Sequence, residues 1–155
     1  MKPFLAFDTS ALVSLGHTDL VETIIGNYKI IVSQRIIDEL KDISKLNDSD
    51  AIASRKWLKK VKNFQIKKVK KRSSGEEELF EICKDLNIDL VSDDIKAIRR
   101  YNKLIDCYFS IHLIYALYRK KIITKSKAII EISKMKRERD WKQNAISIAA
   151  RILFK

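Results

Sequence analysis

Short apolar segments alternate with amphipathic segments over roughly the first two thirds of the chain. The apolar segments have the length of buried strands and span residues 2–7, 28–32, 64–69 and 88–91. The segments between them repeat apolar residues at helical spacing, as Ile36, Ile37, Leu40 and Ile43 do. Because strands separated by helices pair in parallel through crossovers, the sequence predicts a parallel-sheet α/β/α sandwich.

The last third of the chain has a helical pattern without strand signals. It predicts helices near residues 109–120, 124–137 and 143–154, after one more short strand at 104–105 that ends at Asp106. A chain of 155 residues suits one well-packed domain. We therefore expect one domain over 1–155, with a core of 1–120 and C-terminal helices over 121–155.

Several classes of protein are disfavoured by composition. No apolar run approaches the ~18 residues that span a membrane, and Asp8 interrupts the N-terminal apolar run, unlike a secretory signal. The two cysteines, Cys83 and Cys107, lack the spacing of metal ligands and lie in apolar helical patterns. We expect buried free thiols in a cytoplasmic protein that does not bind membranes.

Positive charge is concentrated in two blocks. The net charge is +12. Residues 55–72 carry 10 basic side chains and no acidic one, and residues 119–155 carry 12 basic side chains and 3 acidic ones. This pattern is explained equally well by an anionic polymer held beside an acidic pocket and by a lysine-rich solvated surface. The candidate contacts of such a polymer are Lys59, Lys60, Lys62, Lys67, Lys68, Lys70, Lys71 and Arg72.

Acidic residues recur at places where the predicted elements begin or end. Asp8 follows the first strand, at the edge where open α/β sheets bind ligands, and Glu39 lies beside an apolar helical stripe. Glu76 opens a helix, and Asp93 and Asp94 close a strand. Individually, acids at helix starts also complement the helix dipole. Four converging carboxylates would repel each other unless a divalent cation lay among them, which indicates a metal-dependent enzyme.

These acidic segments resemble, in order and spacing, those of the PIN-domain nucleases over residues 1 to about 120. The matching motifs are FDTSAL at 7–12, VS at 32–33 with IDEL at 37–40, GEEEL at 75–79, and LVSDD at 90–94. The resemblance implies a Mg²⁺- or Mn²⁺-dependent endoribonuclease that hydrolyses RNA phosphodiester bonds, of toxin type or acting in RNA processing.

The resemblance also assigns roles to single acids. It implies that Asp8 is the central metal ligand, with Glu39, Glu76 and Asp94 as the other catalytic acids and Asp93 as the competitor of Asp94. Glu76 stands where the best-known toxins usually carry aspartate. The Gly-Glu-x-Glu start and the paired aspartates resemble an uncharacterised prokaryotic branch of the family more closely.

Supporting residues and partners complete the expectation. Thr9 and Ser10 either contact the scissile phosphate or cap the helix that follows Asp8, and Asp106 either joins the acidic pocket or caps the next helix. A toxin would bind a small antitoxin protein over the pocket. The apolar segment 107–118 is a candidate face for a homodimer.

Two other functions fit the same residues. One is a catalytically silent module that binds RNA or another protein on the same fold. The other is a small phosphatase with Asp8 as nucleophile, but that chemistry usually needs a second acid two residues later, where this chain has Ser10.

Overall fold

The computed structural model describes residues 1–68, 75–141 and 144–155. Its strands are β1 (Phe4–Phe7), β2 (Lys29–Ser33), β3 (Phe64–Lys67), β4 (Asp89–Val91) and β5 (Cys107–Tyr108). They form one sheet in the order β3-β2-β1-β4-β5, in which each neighbouring pair is parallel. The predicted parallel α/β fold is therefore confirmed.

Helices connect the strands and continue after the last one. Those before β3 are α1 (Thr9–Gly16), α2 (Val21–Asn27), α3 (Gln34–Ser44) and α4 (Ser49–Leu58), followed by a 3₁₀ turn (Val61–Asn63). Those after β3 are α5 (Gly75–Leu86), α6 (Ile95–Tyr101), α7 (Ser110–Arg119), α8 (Lys125–Glu138) and α9 (Ala145–Leu153).

The chain changes direction across the sheet at β1. It proceeds from β1 to β2 and β3 on one side, then returns to place β4 and β5 on the other side. Such a switch point opens a crevice at the carboxyl ends of the two central strands. Phe7 pairs with Val91 in this register, so Asp8 and Ser92 directly follow the paired ends of β1 and β4.

Strands and helices form where the apolar pattern predicts them. Ile30, Ile31 and Val32 of β2 are all buried, as expected for a strand covered on both faces. Ile36, Ile37 and Leu40 form the buried stripe of α3. Helices α1 and α4 also pack closely together. A methyl group added at Gly16 of α1 would lie 2.7 Å from the Ala53 carbonyl oxygen of α4.

Two local predictions were wrong. The N-cap of α1 is Asp8, whose carboxylate accepts from the Ala11 amide, and not Thr9 or Ser10. The last strand begins after Asp106 and not at residues 104–105, because Leu90 and Val91 of β4 pair with Cys107 and Tyr108. Asp106 consequently caps no helix, and α7 begins after Phe109.

The C-terminal helices pack against the rest of the chain. Ile111, Ile114 and Leu117 of α7 are fully buried in the main core, so the segment 107–118 does not offer these residues to a second copy. Glu131 of α8 is also fully buried and accepts from the Asp19 amide at 2.9 Å. Within the described residues, no helix is long and apolar enough to cross a membrane.

Candidate active site

A cavity of about 280 Å³ opens at the carboxyl ends of β1 and β4. One wall is polar and comes from the start of α1, from α3 and from the start of α6; the other wall is apolar. The lining residues of the polar wall are Asp8, Thr9, Ser10, Glu39 and Asp94, and those of the apolar wall are Ile36, Leu79, Leu90, Ala97 and Tyr101. Three of the predicted acids therefore share one cavity.

Asp8 belongs to the polar wall and is held on both carboxylate oxygens. Oδ1 accepts from Ser10 Oγ at 2.7 Å and from the Ala11 amide at 2.9 Å, and Oδ2 accepts from Ser92 Oγ. Burial raises the pKa of Asp8 from 3.8 to about 6, and the neighbouring Asp93 carboxylate acts in the same direction. The three hydrogen bonds lower this pKa and offset part of the effect.

Glu39 reaches the cavity from α3 and is also engaged. Thr9 Oγ1 donates to Oε2 of Glu39, and Arg35 Nε lies 3.4 Å from Oε1. Because Arg35 and Glu39 are one turn apart on a half-exposed helix face, water screens this ion pair. The contact with Thr9 joins the acid of α3 to the residue that follows Asp8.

The two adjacent aspartates have different partners. Oδ1 of Asp94 accepts from the amides of Lys96 and Ala97, which caps α6, and the side chain lines the cavity. The carboxylate of Asp93 instead accepts from the Ser110 amide at 2.8 Å and from Ser110 Oγ at 2.6 Å. Burial raises the pKa of Asp93 despite these bonds. Asp93 therefore fixes the start of α7 and is not among the residues described around the cavity.

Of the two remaining predicted acids, one has a side chain that the structure does not describe and the other lies at a different cavity. Glu76 belongs to the first turn of α5, and its side chain is outside the described part of the structure. Asp106 lies before β5, at the amino end of the sheet, where it lines a separate cavity with Asp89. Asp106 therefore does not add a carboxylate to the cavity around Asp8.

The donor chemistry of the cavity fits a hard divalent cation, since its polar wall consists of carboxylate and hydroxyl oxygens. Within the described part of the chain, no ion pair offsets the partly buried carboxylate of Asp8. The oxygens are not gathered around one point, however: among the described side chains, no three acidic, histidine or cysteine groups form a cluster that could hold a metal ion.

Ser92 was not among the functional residues predicted from the sequence. Its hydroxyl is fully buried, donates to Asp8 and accepts from the Asp94 amide at 3.0 Å. Ser10 makes the equivalent bridge, because it donates to Asp8 and accepts from the Asp93 amide at 2.9 Å. A serine directly after a buried strand and before two acids was the available signal in the sequence.

The predicted RNA contacts fall on two edges of the sheet. Lys67 pairs with Ser33 in register and so lies on the carboxyl edge, two strands and about 10 Å from Asp8. Lys68 follows it on the same edge. Lys59, Lys60 and Lys62 precede β3 at the amino edge, and Lys60 forms an ion pair with Glu22. Lys70, Lys71 and Arg72 lie outside the described residues.

Comparison with known proteins gives no match to this chain, either among family models or among curated sequences.

Proposed function

We propose that the protein is a Mg²⁺- or Mn²⁺-dependent endoribonuclease of the PIN-domain type, acting as a toxin or in RNA processing. The observation that carries this proposal is the convergence of Asp8, Glu39 and Asp94 on one cavity at the switch point of a parallel sheet. These acids come from three distant parts of the sequence. Bringing like charges together does not stabilise the fold, and the carboxyl edge of such a sheet is where ligands bind.

The acids of the cavity would hold the ion, with Asp8 between Glu39 and Asp94. Once bound, a divalent ion supplies an activated water and neutralises charge that develops on the phosphate. Ser10 and Ser92 fix both oxygens of Asp8, so that this carboxylate is oriented before a substrate arrives. Thr9 restrains Glu39 in the same way, and release from Thr9 or Arg35 would free an oxygen of Glu39 for a ligand.

RNA is the proposed substrate because basic residues lie at the same edge of the sheet as the cavity. Lys67 and Lys68 lie on that edge, at a distance that a strand of RNA spans in a few nucleotides. Lysines at such positions contribute phosphate contacts that do not depend on sequence. A cytoplasmic location, a homodimer and a small antitoxin partner belong to the same proposal.

The experiment is cleavage of a mixed RNA pool by purified protein with Mg²⁺, with Mn²⁺ or with EDTA. Asp8→Asn is the test variant, and Asp85→Asn, an exposed acid near the end of α5, is the matched control. We expect cleavage with metal, no cleavage with EDTA, and a loss of at least about a hundredfold in Asp8→Asn only. Equal cleavage by Asp8→Asn would contradict the proposal.

A silent RNA-binding module is the second candidate. It is favoured by the hydrogen bonds that occupy both oxygens of Asp8 and by the lack of a three-residue metal cluster among the described side chains. The same experiment separates the two functions. RNA that is retained by the protein but stays intact under every metal condition would favour the silent module.

A further inference from the structure

The two last helices enclose an apolar groove on a different part of the molecule. It has a volume of about 430 Å³ and lies between α8 and α9. Its apolar lining residues are Ile129 and Ile132 of α8, Ala150 of α9 and Phe154, which directly follows α9. The groove contains none of the residues that line the cavity around Asp8.

One isoleucine of the groove is open to solvent. Ile129 of α8 is 43% exposed and lines the groove. Single exposed apolar residues are ordinary, but this one belongs to an apolar concave surface, so the groove presents apolar area to solvent.

The charged residues of the groove are basic. They are Lys136, Arg151 and Lys155, and none of the lining residues that the structure describes is acidic. No ion pair joins these three cations to an acid in the described part of the chain. An occupant with carboxylates beside an apolar stripe would therefore gain both burial and charge complementarity.

A second copy of the chain fits the groove poorly. In a twofold dimer the same patch lies on both partners, so Lys136, Arg151 and Lys155 of one copy would meet a surface whose described lining residues include cations and no acid. Like charges at such a contact oppose association. A concave surface that combines apolar and basic lining residues matches an amphipathic helix better than a flat membrane surface.

We infer that the groove between α8 and α9 binds an acidic amphipathic helix of a partner protein. The apolar face of that helix lies on Ile129, Ile132 and Phe154, and its glutamates or aspartates lie beside Lys136, Arg151 and Lys155. This surface is independent of the proposed nuclease function, because it shares no residue with the acidic cavity.

The test uses two fluorescent helical peptides of about 18 residues, five turns of helix. Both carry leucine at positions i, i+3, i+4 and i+7; one has glutamate and the other lysine on the remaining face. Fluorescence anisotropy measures binding of each peptide to the full chain. The glutamate peptide is expected to bind, and the lysine peptide to bind at least roughly tenfold more weakly.

Two variants identify the groove. Lys136→Glu with Arg151→Glu is expected to reverse the preference between the peptides, and Ile129→Asp is expected to weaken binding of the glutamate peptide roughly tenfold. The matched controls make the same changes on other helices: Lys41→Glu on α3 together with Lys84→Glu on α5, and Ile52→Asp on α4. These controls are expected to leave peptide binding unchanged. Thermal melting confirms that each variant is folded.

Three results would overturn the inference. The first is a wild-type protein that binds neither peptide, or both equally. The second is a dimer in analytical ultracentrifugation that Ile129→Asp dissociates, which would assign the groove to a second copy. The third is cosedimentation with vesicles of anionic phospholipid that Ile129→Asp abolishes, which would assign the surface to a membrane.

Discussion

The Asp8 carboxylate is partly buried beside a second carboxylate, Asp93, and no ion pair with a cation offsets its charge within the described residues. Hydrogen bonds from Ser10, Ser92 and the Ala11 amide offset part of the cost. The remaining cost makes this position unfavourable for a purely structural acid. A bound cation would offset this remaining free-energy cost, so the environment of the Asp8 carboxylate is consistent with the proposed metal site.

The raised pKa of Asp8 predicts how pH affects the metal-free protein. The folded state holds this proton to a pKa of about 6, against 3.8 in the unfolded chain. The contribution of Asp8 is therefore most favourable below pH 3.8 and is lost as pH rises through 6. Between low pH and a pH above 6, the free energy of unfolding of Asp8→Asn in EDTA is therefore expected to rise relative to wild type by on the order of 2 to 3 kcal/mol.

Urea unfolding in EDTA between pH 4 and pH 8 measures this difference. The advantage of Asp8→Asn should grow as pH increases from about 4 to about 6 and then stay constant. Asp85→Asn should show no such trend, since Asp85 is exposed. If the difference in free energy of unfolding between Asp8→Asn and wild type does not change with pH over this range, the proposed electrostatic cost of the Asp8 carboxylate is refuted.

Ser92 is expected to position Asp8 and Asp94 together. Ser92→Ala removes the donor to Asp8 and leaves the Asp94 amide without its partner, so it should destabilise the protein by about 1 to 3 kcal/mol in urea unfolding. Its cleavage rate should fall while its binding of RNA stays unchanged. Ser126→Ala, at an exposed position of α8, is the control, and equal effects of the two substitutions would exclude a positioning role.

At the scale of elements, β3 divides the basic block between the two edges of the sheet. Lys59 and Lys62 precede β3 at the amino edge, whereas Lys67 ends it at the carboxyl edge beside the cavity. The charge of residues 55–72 is visible in the sequence, but its distribution over two edges depends on where the strand begins and ends.

Lysine substitutions at the two edges of the sheet are expected to affect RNA binding differently. Lys67→Ala with Lys68→Ala should weaken binding and reduce the slope of log K against log salt by about 1.4, because two phosphate contacts are lost. Lys59→Ala with Lys62→Ala should change neither quantity, since these residues lie at the far edge. Filter binding at several salt concentrations measures both, and equal losses from the two pairs would place the RNA elsewhere.

Most elements could be predicted from the sequence because apolar periodicity determines them. The stripe of Ile36, Ile37 and Leu40 was predicted correctly. The errors arose where the pattern is short or where a residue has two possible roles. β5 has only two residues, so its position depends on pairing with β4, and Asp8 both caps α1 and lines the cavity.

For the whole molecule, the parallel sheet and its acidic carboxyl edge could be predicted, whereas the arrangement of side chains could not. The resemblance preferred Asp94 to the adjacent Asp93, but apolar periodicity does not distinguish two neighbouring acids. In the structure, the hydrogen bonds from Ser110 of α7 hold the carboxylate of Asp93, whereas Asp94 lines the cavity. Ser92 was missed for the same reason, because its role depends on the pairing of β1 with β4.

The central claim is that the cavity around Asp8 binds a divalent cation. Thermal unfolding at pH 7.5 with increasing Mn²⁺ tests it directly, because a ligand that binds only the folded state raises its stability. The melting temperature of wild type and of Asp85→Asn should rise with Mn²⁺, and that of Asp8→Asn should not. An equal rise in all three proteins, or no rise in wild type, would contradict the claim.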